Sequence, residues 1–216
     1  MGRPVLHQED GAAYGSWLAV VAIAYAVLHH LGSVPEGFGP AYSGTRVSDW
    51  LDLAVPWLVL LPAAAVVRAA RAPASTWAVL AVGAVAYASG HGVHLAANSV
   101  SNSLAPGEQS TAHLWDEVVG HALWYAGVAL VVVALARTMV GRPQPHPVAH
   151  VLAVAAGLTW GSNTLGADGL AVPGLVIAIA FAATGWRGRA DLRVVLMTGF
   201  GAGAVFVVVA LATGAS

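Results

Sequence analysis

Cysteine and lysine are absent from this 216-residue chain, and charged residues of both signs make up only 9% of it. Lack of cysteine excludes disulfides, thiolate metal sites and the haem attachments that need a thiol. The nine arginines and ten acids nearly cancel, to a formal net charge of −1. The basic segments are short and scattered, so they do not form a nucleic-acid surface. No P-loop or dinucleotide glycine pattern follows a strand-like segment, which leaves nucleotide chemistry without support. A soluble domain carries about 25% charged residues; this pool is too small to coat a water-facing surface.

Apolar residues fill the space that charge leaves, at 58% of the chain and a mean hydropathy of +0.73. Runs near the length that crosses a bilayer as a helix, about 20 residues, recur at 14–30, 51–70, 77–97, 117–136, 150–165, 171–186 and 192–212. They predict an all-α integral membrane protein, a seven-transmembrane helix bundle forming one domain over 1–216. Arg3, Arg68, Arg71, Arg137, Arg142, Arg187, Arg189 and Arg193 fall on one side of such a bundle, and only Arg46 on the other. By the positive-inside rule the N-terminus is then cytoplasmic and the C-terminus outside, as expected for a bacterial plasma-membrane protein. The start of the chain lacks a basic n-region and a small-residue cleavage site, so the first span reads as retained rather than as a signal peptide. Trp17, Trp50, Trp77, Trp115 and Trp186 near span ends read as interfacial anchors, with Trp124 and Trp160 deeper.

On this topology the polar residues segregate. His29, His30, Asp49, Asp52, His91, His94, Asn98, Asp116, Glu117, His121, Asn163 and Asp168 fall toward the outer end. Two stretches dominate: Gly90-His91-Gly92-Val93-His94 and Trp115-Asp116-Glu117-Val118-Val119-Gly120-His121. Ionisable side chains at membrane depth are costly and persist mainly where they act. Tyr87, His91, His94 and Asn98 share one helical stripe of the third span, and His113, Glu117, His121 and Trp124 one of the fourth. Packed together, these stripes surround one small volume with His91, His94, His121 and Glu117. A weak internal echo, Ala24-Tyr25-Ala26 before His29 against Ala86-Tyr87-Ala88 before His91, sets His29 at a similar depth.

Imidazole and carboxylate donors suit a divalent transition metal, zinc first and iron or copper as alternatives. His91, His94, His121 and Glu117 are the expected ligands, with His29 as a further one. Three protein ligands and an open position yield a metal-activated water near neutral pH, for which Glu117 is the expected base. Asp116 is expected to act in acid–base chemistry or to orient a ligand histidine, a role open to Asp52 as well. Gly90 and Gly92 would allow close approach of a neighbouring helix or substrate. His146 and His150 are expected at the surface of the opposite end. His113, Asp49 and Asp168 are expected as hydrated residues at headgroup level.

In architecture alone the chain resembles the adiponectin-receptor and alkaline-ceramidase superfamily of intramembrane zinc hydrolases. That family carries a serine and histidine on an early span and a His-x-x-x-His pair on the last. Here the span from Leu192 onward has no histidine, so no residue role transfers. The expected function is metal-dependent hydrolysis of a lipid or other hydrophobic substrate, at a site facing the exterior and among membrane lipids. Two other readings use the same residues: a membrane iron or copper oxidoreductase of oxygenase or desaturase type, and a proton- or metal-coupled transporter or sensor. A carrier should place its site near the midplane with routes to both sides, and the inner halves of these spans are dry.

Overall fold

The computed structural model describes residues 6–31, 34–42, 45–105 and 110–214. They form α1 (Leu6–Leu28), a 3₁₀ turn (Pro35–Phe38), α2 (Val47–Asp52), α3 (Val55–Ala69), α4 (Ala74–Ser103), α5 (Ser110–His113), a π-helical turn (Leu114–Gly120), α6 (His121–Met139), α7 (Pro147–Gly166), α8 (Ala171–Arg187) and α9 (Val194–Thr213). Among the described residues the protein is helical without strands. Five segments are long and apolar enough to cross a membrane: Gly11–Leu28, Val47–Ala69, Ala74–Ser103, Ser110–Met139 and Val194–Thr213. The two other apolar runs are helical too, but α8 has only 17 residues, and α7 carries His150, Thr159, Ser162, Asn163 and Thr164.

The helices expose large apolar side chains, a surface compatible with a bilayer. Leu61, Val82, Val85, Val151, Val176 and Val205 each leave more than half their surface uncovered. A soluble protein avoids contiguous exposure of that kind, whereas a bilayer favours it. The five tryptophans at span ends are all exposed, while Trp124 and Trp160 are buried.

Helix α4 packs along α6, and α1 along α3; α7, α8 and α9 form a second group joined to the first chiefly through α1 and α7. Three of these seams, α4 with α6, α7 with α9 and α8 with α9, rest on glycines that let backbones touch. A side chain on Gly157 of α7 would strike the Gly199 carbonyl of α9, and one on Gly203 would strike the Gly157 carbonyl. Association within lipid depends on such contacts because burying apolar surface brings little gain there. His150 departs from its expected surface position: it is half-buried in this seam, with Nδ1 2.9 Å from Thr198 Oγ1.

At the arginine-bearing end, Asp191 clamps two loops. Its carboxylate accepts from the Gly141 backbone N–H (3.1 Å) and from the Arg193 guanidinium (2.8 Å). The Arg193 side chain is the main cause that holds the Asp191 carboxyl down to about 2, below its usual 3.8. A depressed folded-state pKa stabilises above the unfolded value and loses that contribution as pH falls through the folded one. Thermal unfolding of wild type and Asp191→Asn should therefore differ at neutral pH. The two should converge between about pH 4 and pH 2, the window those two values set.

Candidate metal centre

Close approach of α4 and α6 builds the site. An added Cβ at Gly90 would collide with the Trp124 backbone nitrogen and lie 2.7 Å from the Gly120 carbonyl. One at Gly120 would lie 2.9 Å from the His94 nitrogen. These two glycines thus set His94 directly against the start of α6. Gly92 faces open space, with nothing within 4 Å of its missing side chain, so the expected close approach belongs to Gly90 alone.

The second determinant is the π-helical turn, Leu114–Gly120, which leads into α6. Residues five apart on an α-helix point about 140° away from each other, which would separate Asp116 from His121. The wider i→i+5 turn brings them together; short π-turns of this kind recur at functional sites. Sequence spacing on a regular helix pairs Glu117 with His121 and leaves Asp116 in a supporting role. The structure instead gathers His94, Asp116 and His121, whose ligand atoms all lie within 4.8 Å of one another. Asp116 and His121 are buried and His94 nearly so.

Hydrogen bonding within this group is incomplete. His94 Nδ1 and Asp116 Oδ1 are an ion pair 2.5 Å apart, the contact expected of an acid that orients a ligand histidine, although its angles fall outside those of a hydrogen bond. Glu117 Oε2, 3.3 Å from His121 Nδ1, is likewise buried without a hydrogen bond. Of eight buried side-chain polar atoms without a partner among the described residues, five cluster here: these three, His91 Nδ1 and Trp124 Nε1. Trp124 Nε1–H is a donor only, and His91 lies outside the group. That leaves His94 Nδ1, Asp116 Oδ1 and Glu117 Oε2 as the acceptor-capable atoms that suit a cation. His121 is oriented for it, because its Nδ1–H donates to the Glu117 carbonyl (3.3 Å) and Nε2 is left as the donor atom. His94, Asp116 and His121 could therefore hold a metal ion.

The remaining expected ligands sit deeper or to one side. His29 is fully engaged: its Nδ1–H donates to the Tyr25 carbonyl (3.0 Å), and Nε2 accepts from the Tyr87 hydroxyl (2.6 Å). With both ring nitrogens used, it is not an additional ligand in this arrangement. His91 donates from Nε2 to the Asp52 carbonyl (3.0 Å), with Asp52 Oδ1 3.3 Å away. Its ring lies 6.3 Å from that of His94, outside the three-residue group, and Asp52 orients it. Glu117 borders the group without belonging to it. The rings of His29 and His91 meet edge to face, 6.2 Å apart. His113 and Asp168 pair at 2.9 Å on the exposed face.

Sequence reading missed the layer beneath. Tyr25, His29, Tyr87, Trp124 and Tyr125 form a continuous aromatic stack under the metal group. Trp124 contacts the rings of His91, His94 and His121, and its apolar body closes the site toward the bundle interior. Tyr87 already shares a stripe with His91, but its bond to His29 joins two spans distant in sequence. Comparison with protein-family models, curated proteins and solved structures gives no match for this chain, so its chemistry is read from these residues alone.

Proposed function

We propose that this protein is an intramembrane metal-dependent hydrolase whose metal is held by His94, Asp116 and His121. The observation that carries the reading is that ligand atoms of His94 on α4, Asp116 on the π-turn and His121 at the start of α6 all lie within 4.8 Å of one another. Two imidazoles and one carboxylate match zinc chemistry, in which three protein ligands leave a position open. A divalent ion there supplies Lewis acidity and lowers the pKa of a bound water. Glu117, which borders the group with Oε2 3.3 Å from His121 Nδ1, would take the proton of the attacking water in this reading. Trp124 excludes solvent from below, and Asp52 fixes His91 at the edge.

The substrate class follows from the surroundings. A site at the end of apolar helices, flanked by exposed Leu114 and Trp115, favours an ester or amide of a lipid or other hydrophobic molecule. We further read the chain as seven crossings with a cytoplasmic N-terminus, which sets the site toward the exterior. Elemental analysis of detergent-purified protein, with an absorption spectrum, tests the metal. About one zinc per chain supports the hydrolase, and near two irons or coppers would favour oxidative chemistry. A metal-free protein purified without chelators would sink the reading. Hydrolysis of p-nitrophenyl palmitate tests the reaction. Glu117→Gln should keep the zinc and lose on the order of 10²–10⁴-fold in turnover, the usual contribution of a general base.

A further inference from the structure

A cavity of about 660 Å³ lies between α1, α6, α7 and α9, away from the metal group. That volume is within the range of natural ligand sites, roughly 300–1,000 Å³. Leu18, Val131, Leu135, Leu152, Ala156 and Leu196 make its walls. Tyr25, Tyr87 and Trp160 line its far end, where the Tyr25 and Tyr87 rings lie against His29. Tyr14 and Tyr25 both line it from α1, so it runs for about 16 Å along the helix. This is a long, narrow, apolar space with one polar end.

That end is built around a cation. The Arg142 guanidinium lies 3.6 Å from the centre of the Tyr14 ring, and its Nε donates to the Thr138 carbonyl (2.8 Å). The Tyr14 hydroxyl is 2.9 Å from Thr138 Oγ1, which holds ring and guanidinium in register. Asp191, the acid in the adjoining loop, is taken by Gly141 and Arg193. Among the described residues no carboxylate pairs with Arg142, so its terminal N–H groups are available at the cavity mouth. Guanidinium prefers planar, two-point contact with phosphate or carboxylate oxygens. Basic pockets between helices at the positively charged membrane face suit anionic headgroups.

We propose that this cavity binds one acyl chain of an anionic phospholipid, with the headgroup phosphate on Arg142. The site is separate from the metal centre and goes beyond the hydrolase reading. Its occupant comes from the leaflet at the arginine-bearing end, the opposite end from His94. A neutral lipid would fill the walls but leave the guanidinium without an anion; a free polar metabolite would leave the walls unfilled.

The test is native mass spectrometry of the protein reconstituted with vesicles of equal phosphatidylcholine and phosphatidylglycerol. Wild type should retain one phosphatidylglycerol per chain. Arg142→Gln should weaken that retention about fivefold, as expected for one basic contact, and abolish the preference over phosphatidylcholine. Leu18→Trp and Ala156→Phe, which fill the walls, should abolish retention of either lipid. A cooperative thermal unfolding transition, read on the same samples, shows whether each variant is folded, whatever its metal content. Folded wild type without bound lipid, retention unchanged in both filled variants, or a fatty acid or second protein copy in place of phospholipid would each overturn the proposal.

Discussion

His94→Ala and Asp116→Ala should each empty the metal site, while His29→Ala should leave it filled. The loss should exceed the roughly 10–100-fold that follows removal of an outer partner, because each variant removes one of only three donors. Elemental analysis of the variants beside wild type reads this directly. His91→Ala should fall between: it removes a ring next to His94 without removing a ligand. The ranking matters more than any single value. Spacing on regular helices makes His91 and Glu117 ligands equal to His94, whereas the folded arrangement makes Asp116 the third donor. Retention of metal in Asp116→Ala with loss in His91→Ala would reject the centre described here.

Gly90→Val should damage the same site from a distance of one helix seam. The new side chain would press on the Trp124 nitrogen and the Gly120 carbonyl, and backbone atoms cannot turn aside as a rotamer can. Overpacking of this kind costs about 1–3 kcal/mol, and here it also pushes His94 away from Asp116. A lower unfolding temperature together with weakened metal binding is the expected pair of results. Gly92→Val is the control. It lies two residues along the same helix with open space before it, so it should keep both stability and metal. Equal damage from the two substitutions would show that the helix itself, rather than the seam, is sensitive to the change.

Apolar run length, arginine asymmetry and the concentration of histidines and acids are all written along the chain. They are properties of local composition, and they suffice to anticipate a helical protein with apolar helices fit to cross a membrane, although they predict seven where five have the length and hydropathy. They also suffice to place a metal-competent polar cluster at one end. His94 and His121 were legible as partners because regular helical spacing aims both at the same seam. Asp116 was not, because a π-turn at Leu114–Gly120 changes which residues share a face, and no residue pattern announces it. The fate of His29 was equally hidden: only the tertiary arrangement that brings the residue just past α1 within reach of α4 sets the Tyr87 hydroxyl on its second nitrogen.

The cavity above Arg142 belongs to the same class of fact. Leucine, valine and alanine along four helices look alike whether they meet or stand apart. What the sequence by itself determined is where charge is tolerated and which runs are helical, since both follow from the cost of solvating each residue in place. Helix α4 nonetheless runs to 30 residues, beyond its apolar stretch. What only the tertiary structure decided is which donors converge and where the helices leave a gap. Those depend on backbone contacts between segments far apart in the chain, such as Gly90 on Trp124 and Gly157 on Gly199. A change of one methyl group at such a contact shifts a whole helix.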